Sequence, residues 1–171
     1  MKESASTTIT LVWTGQQKPK VAIPEGFVLQ GAKPGDKDRW RLATNLALST
    51  ILPPAIVNRF FGSGSDILLC LKGNQVVGVG GLRVESKLCH INYTGVVPGF
   101  RGRGLGSALT CWSLCDAVRR GFKKVFVTTT FQPARFAAIC LYYKLGFRPA
   151  DTPLPKGGSW EQIFRAVGVK V

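Results

Sequence analysis

Apolar and polar positions along this chain follow two rhythms. Short β-branched stretches at Thr8–Trp13, Phe27–Gly31, Asp66–Leu71, Gln75–Val84, Leu88–Val97 and Val125–Thr130 predict strands. The Lys72-Gly-Asn74 turn makes a hairpin of the third and fourth. A helix is expected over Asp36–Leu48, and a second, opened by Pro54, runs to Phe61. From Gly104 the apolar positions 105, 108, 109, 112, 115 and 118 repeat at the helical period until Gly121 stops them. A last helix over Pro133–Leu145 ends at Gly146. Phe147–Arg148 and Trp160–Val167 are expected as final strands around a Pro153–Gly158 loop, and Gly62–Ser65 as a flexible link. Residues 1–25 read as an N-terminal extension able to supply an extra strand, and 26–171 as one domain. The front half is an antiparallel run, and the back half is strand–helix–strand–helix–strand. The crossover from Val97 through the long helix to Val125 implies a parallel pair in a mixed sheet, an α/β class.

Composition changes the picture through charge. A hydrophobic fraction of 45% and a charged fraction of 19% are ordinary for a globular chain. The balance of 23 Lys and Arg against 9 Asp and Glu, net +14, is not. Such a field draws polyanions: coenzymes, nucleic acid and anionic membranes all qualify, and a dispersed basic surface serving solubility is the plain alternative. No apolar stretch approaches the roughly 20 residues of a membrane span, and residues 1–8 lack the apolar run of a signal sequence. Five cysteines with no Cys-x-x-Cys predict reduced thiols in a cytoplasm. Cys111 and Cys115 stand one helical turn apart, but a single His leaves no zinc set, so no metal is expected.

The chemistry concentrates in Arg101-Gly-Arg-Gly-Leu-Gly-Ser107. Glycines at 102, 104 and 106 let backbone N–H groups converge on a ligand, the following helix adds its unpaired amides, and Arg101 and Arg103 add charge. This is an anion site, best matched by a phosphate or pyrophosphate. A P-loop would need Gly-Lys-Ser or Gly-Lys-Thr, and Lys is absent from the turn. A dinucleotide fingerprint would need its third Gly one place later and an acid after the next strand, which ends Thr128-Thr-Thr-Phe131.

Arg-x-x-Gly-x-Gly, spelled by Arg101, Gly104 and Gly106, resembles the pyrophosphate loop of the GNAT superfamily of N-acetyltransferases. Ala138-Ile-Cys-Leu-Tyr-Tyr-Lys-Leu-Gly-Phe147 resembles that family's second motif, a helix with a Tyr that ends in Gly-Phe. The resemblance covers about 26–167. It implies a mixed, twisted sheet of six to seven strands with helices on both faces and a splayed parallel pair. It also implies acetyl-CoA as co-substrate and a primary amine as acceptor, in a ternary complex. By the same resemblance Val96, Val97 and Pro98 line the pantetheine arm. Gly102, Gly104, Leu105, Gly106 and Ser107 hold the pyrophosphate with Arg101 and Arg103, and Tyr142 protonates the leaving thiolate. Arg135 stands where the family often has Asn, and reaches either a CoA phosphate, an acidic substrate or solvent.

A backbone N–H near Val97 suits the developing oxyanion. Alternation from Val97 puts Ile91 and Tyr93, the parity of the family's bases, on one face and His90 and Asn92 on the other, so His90 reads as structural. A water chain or Glu85 is then left as base. So few acids make a polycationic acceptor a poor fit, and a neutral or acidic small amine is expected. Two rivals stand beside this reading. One is a CoA-binding module without catalysis. The other is nucleic-acid binding through the basic face, to which the four Trp are suited though no RNA-binding motif is present. A homodimer is compatible with the sequence, which does not set the oligomeric state.

Overall fold

The computed structural model describes residues 7–16, 19–62 and 66–150, together with Glu161, Phe164, Arg165 and Gly168. In chain order the strands are β1 (Thr7–Trp13), β2 (Val28–Gly31), β3 (Asp66–Lys72), β4 (Gln75–Glu85), β5 (Leu88–Ile91), β6 (Gly95–Val96), β7 (Val125–Phe131) and β8 (Arg148–Pro149). The α-helices are α1 (Lys37–Leu48), α2 (Pro54–Gly62), α3 (Leu105–Arg119) and α4 (Phe136–Lys144). Eight strands among the described residues exceed the expected six to seven because the last antiparallel run is broken into β5 and β6. The chain divides into two compact units, Pro19–Phe122 and the paired segments Met1–Lys18 and Lys123–Val171.

In the unit Pro19–Phe122, β2, β3 and β4 form an antiparallel run, and the far edge of β4 pairs first with β5 and then with β6. Both faces are covered. Trp40, Ala43 and Ala47 of α1 and Val57 and Phe60 of α2 pack with Ile67, Leu69, Val76 and Val79. Leu105 and Leu109 of α3 pack on the other face with Leu68, Cys70 and Val77. This is why β3 reads as an unbroken apolar run: its alternate residues meet different helices. Gly95 fixes how α1 sits on β6. A Cβ there would lie 2.8 Å from Leu48 Cδ2 and 3.0 Å from Ala47 Cβ, so the bare backbone lets the helix approach. At the far end of α3, Asp116 is buried and pairs with Arg119 and Arg120, and Arg120 also reaches Asp66 of β3 at 2.5 Å.

In the other unit, β1 lies between β7 and β8, antiparallel to both, with Ile9 opposite Thr129 and Leu11 opposite Val127 and Pro149. The strand expected within residues 1–25 is therefore the middle of this three-stranded run. Ile9 packs with Ile139 of α4, flanked by Phe131 and Phe136. The helix starts three residues later than expected, because Pro133–Arg135 forms a 3-10 turn. It ends as the Gly-Phe pair predicts: Gly146 has φ 92°, its N–H donates to Tyr143 O, and the Phe147 N–H donates to Tyr142 O, both at 3.0 Å. Glu161, Phe164 and Arg165 have helical backbone rather than the strand expected there. Ser63–Ser65 and the Pro153–Gly158 loop lie outside the described residues. No described helix is long and apolar enough to cross a membrane.

Candidate active site

The glycine loop leads into α3 without any side-chain cap. Gly104 holds the N-cap position with φ 80° and ψ −1°, and the first turn carries no acid. The Ala108 N–H bonds Gly104 O at 3.0 Å, so the N–H groups of Leu105, Gly106 and Ser107 point out of the helix end. Gly102 is also left-handed, with φ 76°, and a side chain at either glycine would be strained. Outward-pointing amides at the positive end of a fifteen-residue helix, with no carboxylate in the first turn, make a site suited to an anion.

The two loop arginines have different surroundings. Arg101 donates from Nε to Val96 O and from a guanidinium nitrogen to Ala47 O, each at 3.0 Å, so its head group ties β6 to α1. Arg103 is exposed, with its guanidinium 5.8 Å from the centre of the Phe100 ring. Val96 packs towards α3 and Val97 towards α1. The Val97 N–H is spent on Val77 O at 2.9 Å. By antiparallel alternation the Val96 N–H, one residue back, faces away from β4. Of the amides near Val97, this one is the candidate oxyanion donor.

A bulge separates β5 from β6. Leu82 stands opposite Ile91 and Val79 opposite Gly95, so the outer strand uses one residue more than β4 between these anchors. Tyr93, in the bulge, has φ 47°. The extra residue resets the alternation and corrects the face assignment made from sequence. Cys89 and Ile91 are buried, and Cys89 feels the charges of Asp116 on α3 and of Arg120 just past its end. His90 faces the other way: it stands opposite Arg83, which meets Glu85 at 3.4 Å, and Glu85 meets Arg59 of α2 at 3.7 Å. Tyr93 lies on that same face, its ring edge-on to Phe60 at 4.8 Å and to Trp40 at 5.8 Å. His90 and Tyr93 therefore share a face, and Ile91 does not. The cue was Gly95 inside a strand pattern, a common mark of a bulge.

Burial pushes the His90 pKa below its usual value, Arg83 pushes it further down, and Glu85 pulls it back. The imidazole is thus neutral at neutral pH and able to accept a proton. Glu85, the base considered from sequence, lies between two guanidinium groups, Arg83 at 3.4 Å and Arg59 at 3.7 Å, so its carboxylate is engaged in ion pairs.

In the other unit Tyr142 is buried, its ring 5.5 Å from that of Phe147. Burial raises its pKa to about 12, against the opposing charge of Arg135. Arg135 closes the 3-10 turn that opens α4. Tyr143 has different neighbours, the Arg148 guanidinium at 4.2 Å and the Phe164 ring at 4.5 Å. Cys70, Cys89, Cys111 and Cys115 are free thiols, and among the described residues no three His, Cys, Asp or Glu are grouped as a metal site.

The family model described as acetyltransferase (GNAT) family matches residues 39–147, well over half of the chain. The curated N-acetyltransferase YjgM of Escherichia coli K12, itself uncharacterized, is 34% identical over 84 residues, covering 47% of this chain and 49% of that protein. The chain thus spans about half the length of this relative. Among solved structures, a GCN5-related N-acetyltransferase of Sphaerobacter thermophilus superposes with a TM-score of 0.69 at 22% identity, over 85% of this chain and 49% of that one. An acetyltransferase of Trypanosoma brucei superposes with a TM-score of 0.61 at 21% identity, over 75% of this chain and 97% of its own. At these identities the structures establish a shared fold.

Proposed function

The chain belongs to the GNAT acetyltransferase family, and from that premise we propose that it moves an acetyl group from acetyl-CoA to the primary amine of a neutral or acidic small molecule. The observation that carries this reading is the glycine loop running into an uncapped helix, an anion seat with no acid in its first turn. Amides 102–107 and Arg103 take the diphosphate of the donor, and Val96 to Pro98 line its pantetheine arm. Arg101 is assigned to holding β6 rather than to the phosphates.

The amine attacks the thioester carbon, and the carbonyl electrons move onto oxygen, facing the Val96 N–H. Collapse expels the thiolate of CoA. His90 takes the proton lost by the amine, directly or through a water. Tyr142 gives the thiolate its proton, a role resting on its place in the family motif. With the phenol raised to about 12, it enters each turnover protonated, and the tyrosinate left behind regains a proton from solvent as His90 releases the one it took. The products are the N-acetylated acceptor and free CoA.

The acceptor class follows from charge. The acid two residues from the strand partner of His90, Glu85, is paired with Arg59 and Arg83, so these described residues offer cations beside a neutralised carboxylate. Polycationic amines would be repelled there. Release of CoA thiol in the presence of a panel of amines tests the reading. Turnover with amino-acid derivatives or acidic amines supports it, and turnover confined to polyamines or aminoglycosides overturns the acceptor class. Tight acetyl-CoA binding without turnover on any amine favours a CoA-binding module.

A further inference from the structure

Beside the glycine loop stands a group of side chains of which the reading above uses Arg103 alone. Phe100 ends the short turn Pro98–Phe100 just ahead of the loop. The Lys72 ammonium, at the end of β3, lies 5.8 Å from the centre of the Phe100 ring and 5.9 Å from that of Phe27. Arg103 reaches the same Phe100 ring at 5.8 Å. The two rings meet edge to face at 6.4 Å. Both cations are exposed, and neither has an ion-pair partner among the described residues.

Two uncompensated positive charges gathered on one aromatic pair repel each other, and a cation–π contact at an exposed site offsets little of this. A dianion would relieve both. The loop amides and Arg103 already suit a diphosphate, so the charge of Lys72 is surplus to that task. A phosphate monoester carries close to two negative charges at neutral pH, more than a carboxylate, and is the anion such a pair attracts most strongly. Coenzyme A carries one such group, on its ribose.

We propose that Lys72 and Arg103, seated on Phe27 and Phe100, bind the ribose phosphate monoester of the donor and make the protein discriminate coenzyme A from its 3′-dephospho form. This rests on the reading of the loop as a seat for the donor's diphosphate. Lys72 is the cleaner probe, because Arg103 lies inside the loop and its loss also weakens the hold on the diphosphate.

Calorimetric titration of the whole chain with coenzyme A and with 3′-dephospho-coenzyme A tests it. The wild type is expected to bind coenzyme A about tenfold more tightly, the worth of one charge-assisted contact. Lys72→Gln loses that preference and keeps its affinity for the dephospho form, which also reports an intact fold. Lys72→Arg retains most of the preference. Equal affinity of the wild type for both ligands, or an equal loss on both in Lys72→Gln, overturns the proposal while leaving acetyl transfer standing. An unchanged preference in Lys72→Gln, with a raised KM for an acidic acceptor, assigns the pair to the acceptor and also overturns it. Failure of the wild type to bind either ligand removes the donor reading itself, and this subsite with it.

Discussion

The guanidinium of Arg101 donates from Nε to the carbonyl of Val96, five residues earlier in the chain, at 3.0 Å. A second nitrogen of the same group reaches Ala47 O on α1. One planar cation thus ties the strand that carries the candidate oxyanion donor to the helix lying over it. Arg101→Met should lower kcat about tenfold, change acetyl-CoA affinity by less than about threefold, and cost about 1–2 kcal/mol of stability, since the group is exposed. Arg101→Lys should restore little, because an ammonium cannot bridge two carbonyls as the fork does. Steady-state kinetics with thermal unfolding checks this. A tenfold loss of donor affinity at unchanged kcat would return Arg101 to the phosphates.

For His90 the pH profile is the readout. Its lowered pKa puts the acid limb of kcat/KM below the usual value of about 6.5, so the wild-type rate is flat through neutrality. His90→Gln should lower the rate about a hundredfold and remove that limb, with little change in donor affinity. Glu85→Gln should leave the limb in place and shift it to lower pH, since the charge of Glu85 raises the imidazole pKa. A limb that survives in His90→Gln and vanishes in Glu85→Gln would exchange their roles.

Tyr142→Phe should reduce kcat by about tenfold to a hundredfold with donor KM nearly unchanged. Because the phenol is raised to about 12, the wild type should show no alkaline limb from this residue below about pH 10. Full activity in the phenylalanine variant would leave Tyr142 as a packing residue of α4.

Alkali should destabilise the fold through its buried thiols. Burial raises Cys70 and Cys89 from 9.0 to about 11. The folded chain thus holds their protons where the unfolded chain releases them. Their contribution is fully present below about pH 9 and is lost as pH rises towards 11. Melting temperature should fall across that window, and a Cys70→Ala, Cys89→Ala double variant, though less stable at pH 8, should show a shallower fall. An identical slope in both would show the effect lies elsewhere.

Local signals were readable from the chain. The glycine loop, the Gly-Phe stop after α4 and the hairpin at Gly73 depend on residues a few positions apart, and helix ends and turns are set at that range. The bulge was not readable by counting parity, because its extra residue shows only in the register against β4. That single residue moved Tyr93 onto the face of His90. The partner of Arg101 on α1 lies 54 residues away, and the pairing of Glu85 with Arg59 joins different elements. Lys72 and Phe27 likewise join Phe100 only through the fold. The loop motif thus marks the candidate anion seat, while tertiary packing decides which arginine is tied to backbone carbonyls and which is not.

A crystal structure of the chain with acetyl-CoA is the most direct trial of the donor seat. It should place the diphosphate within hydrogen-bonding distance of the amides from Gly102 to Ser107, with Arg101 still on the Val96 and Ala47 carbonyls. Density for the coenzyme elsewhere on the protein, with these amides facing solvent, would contradict the assignment.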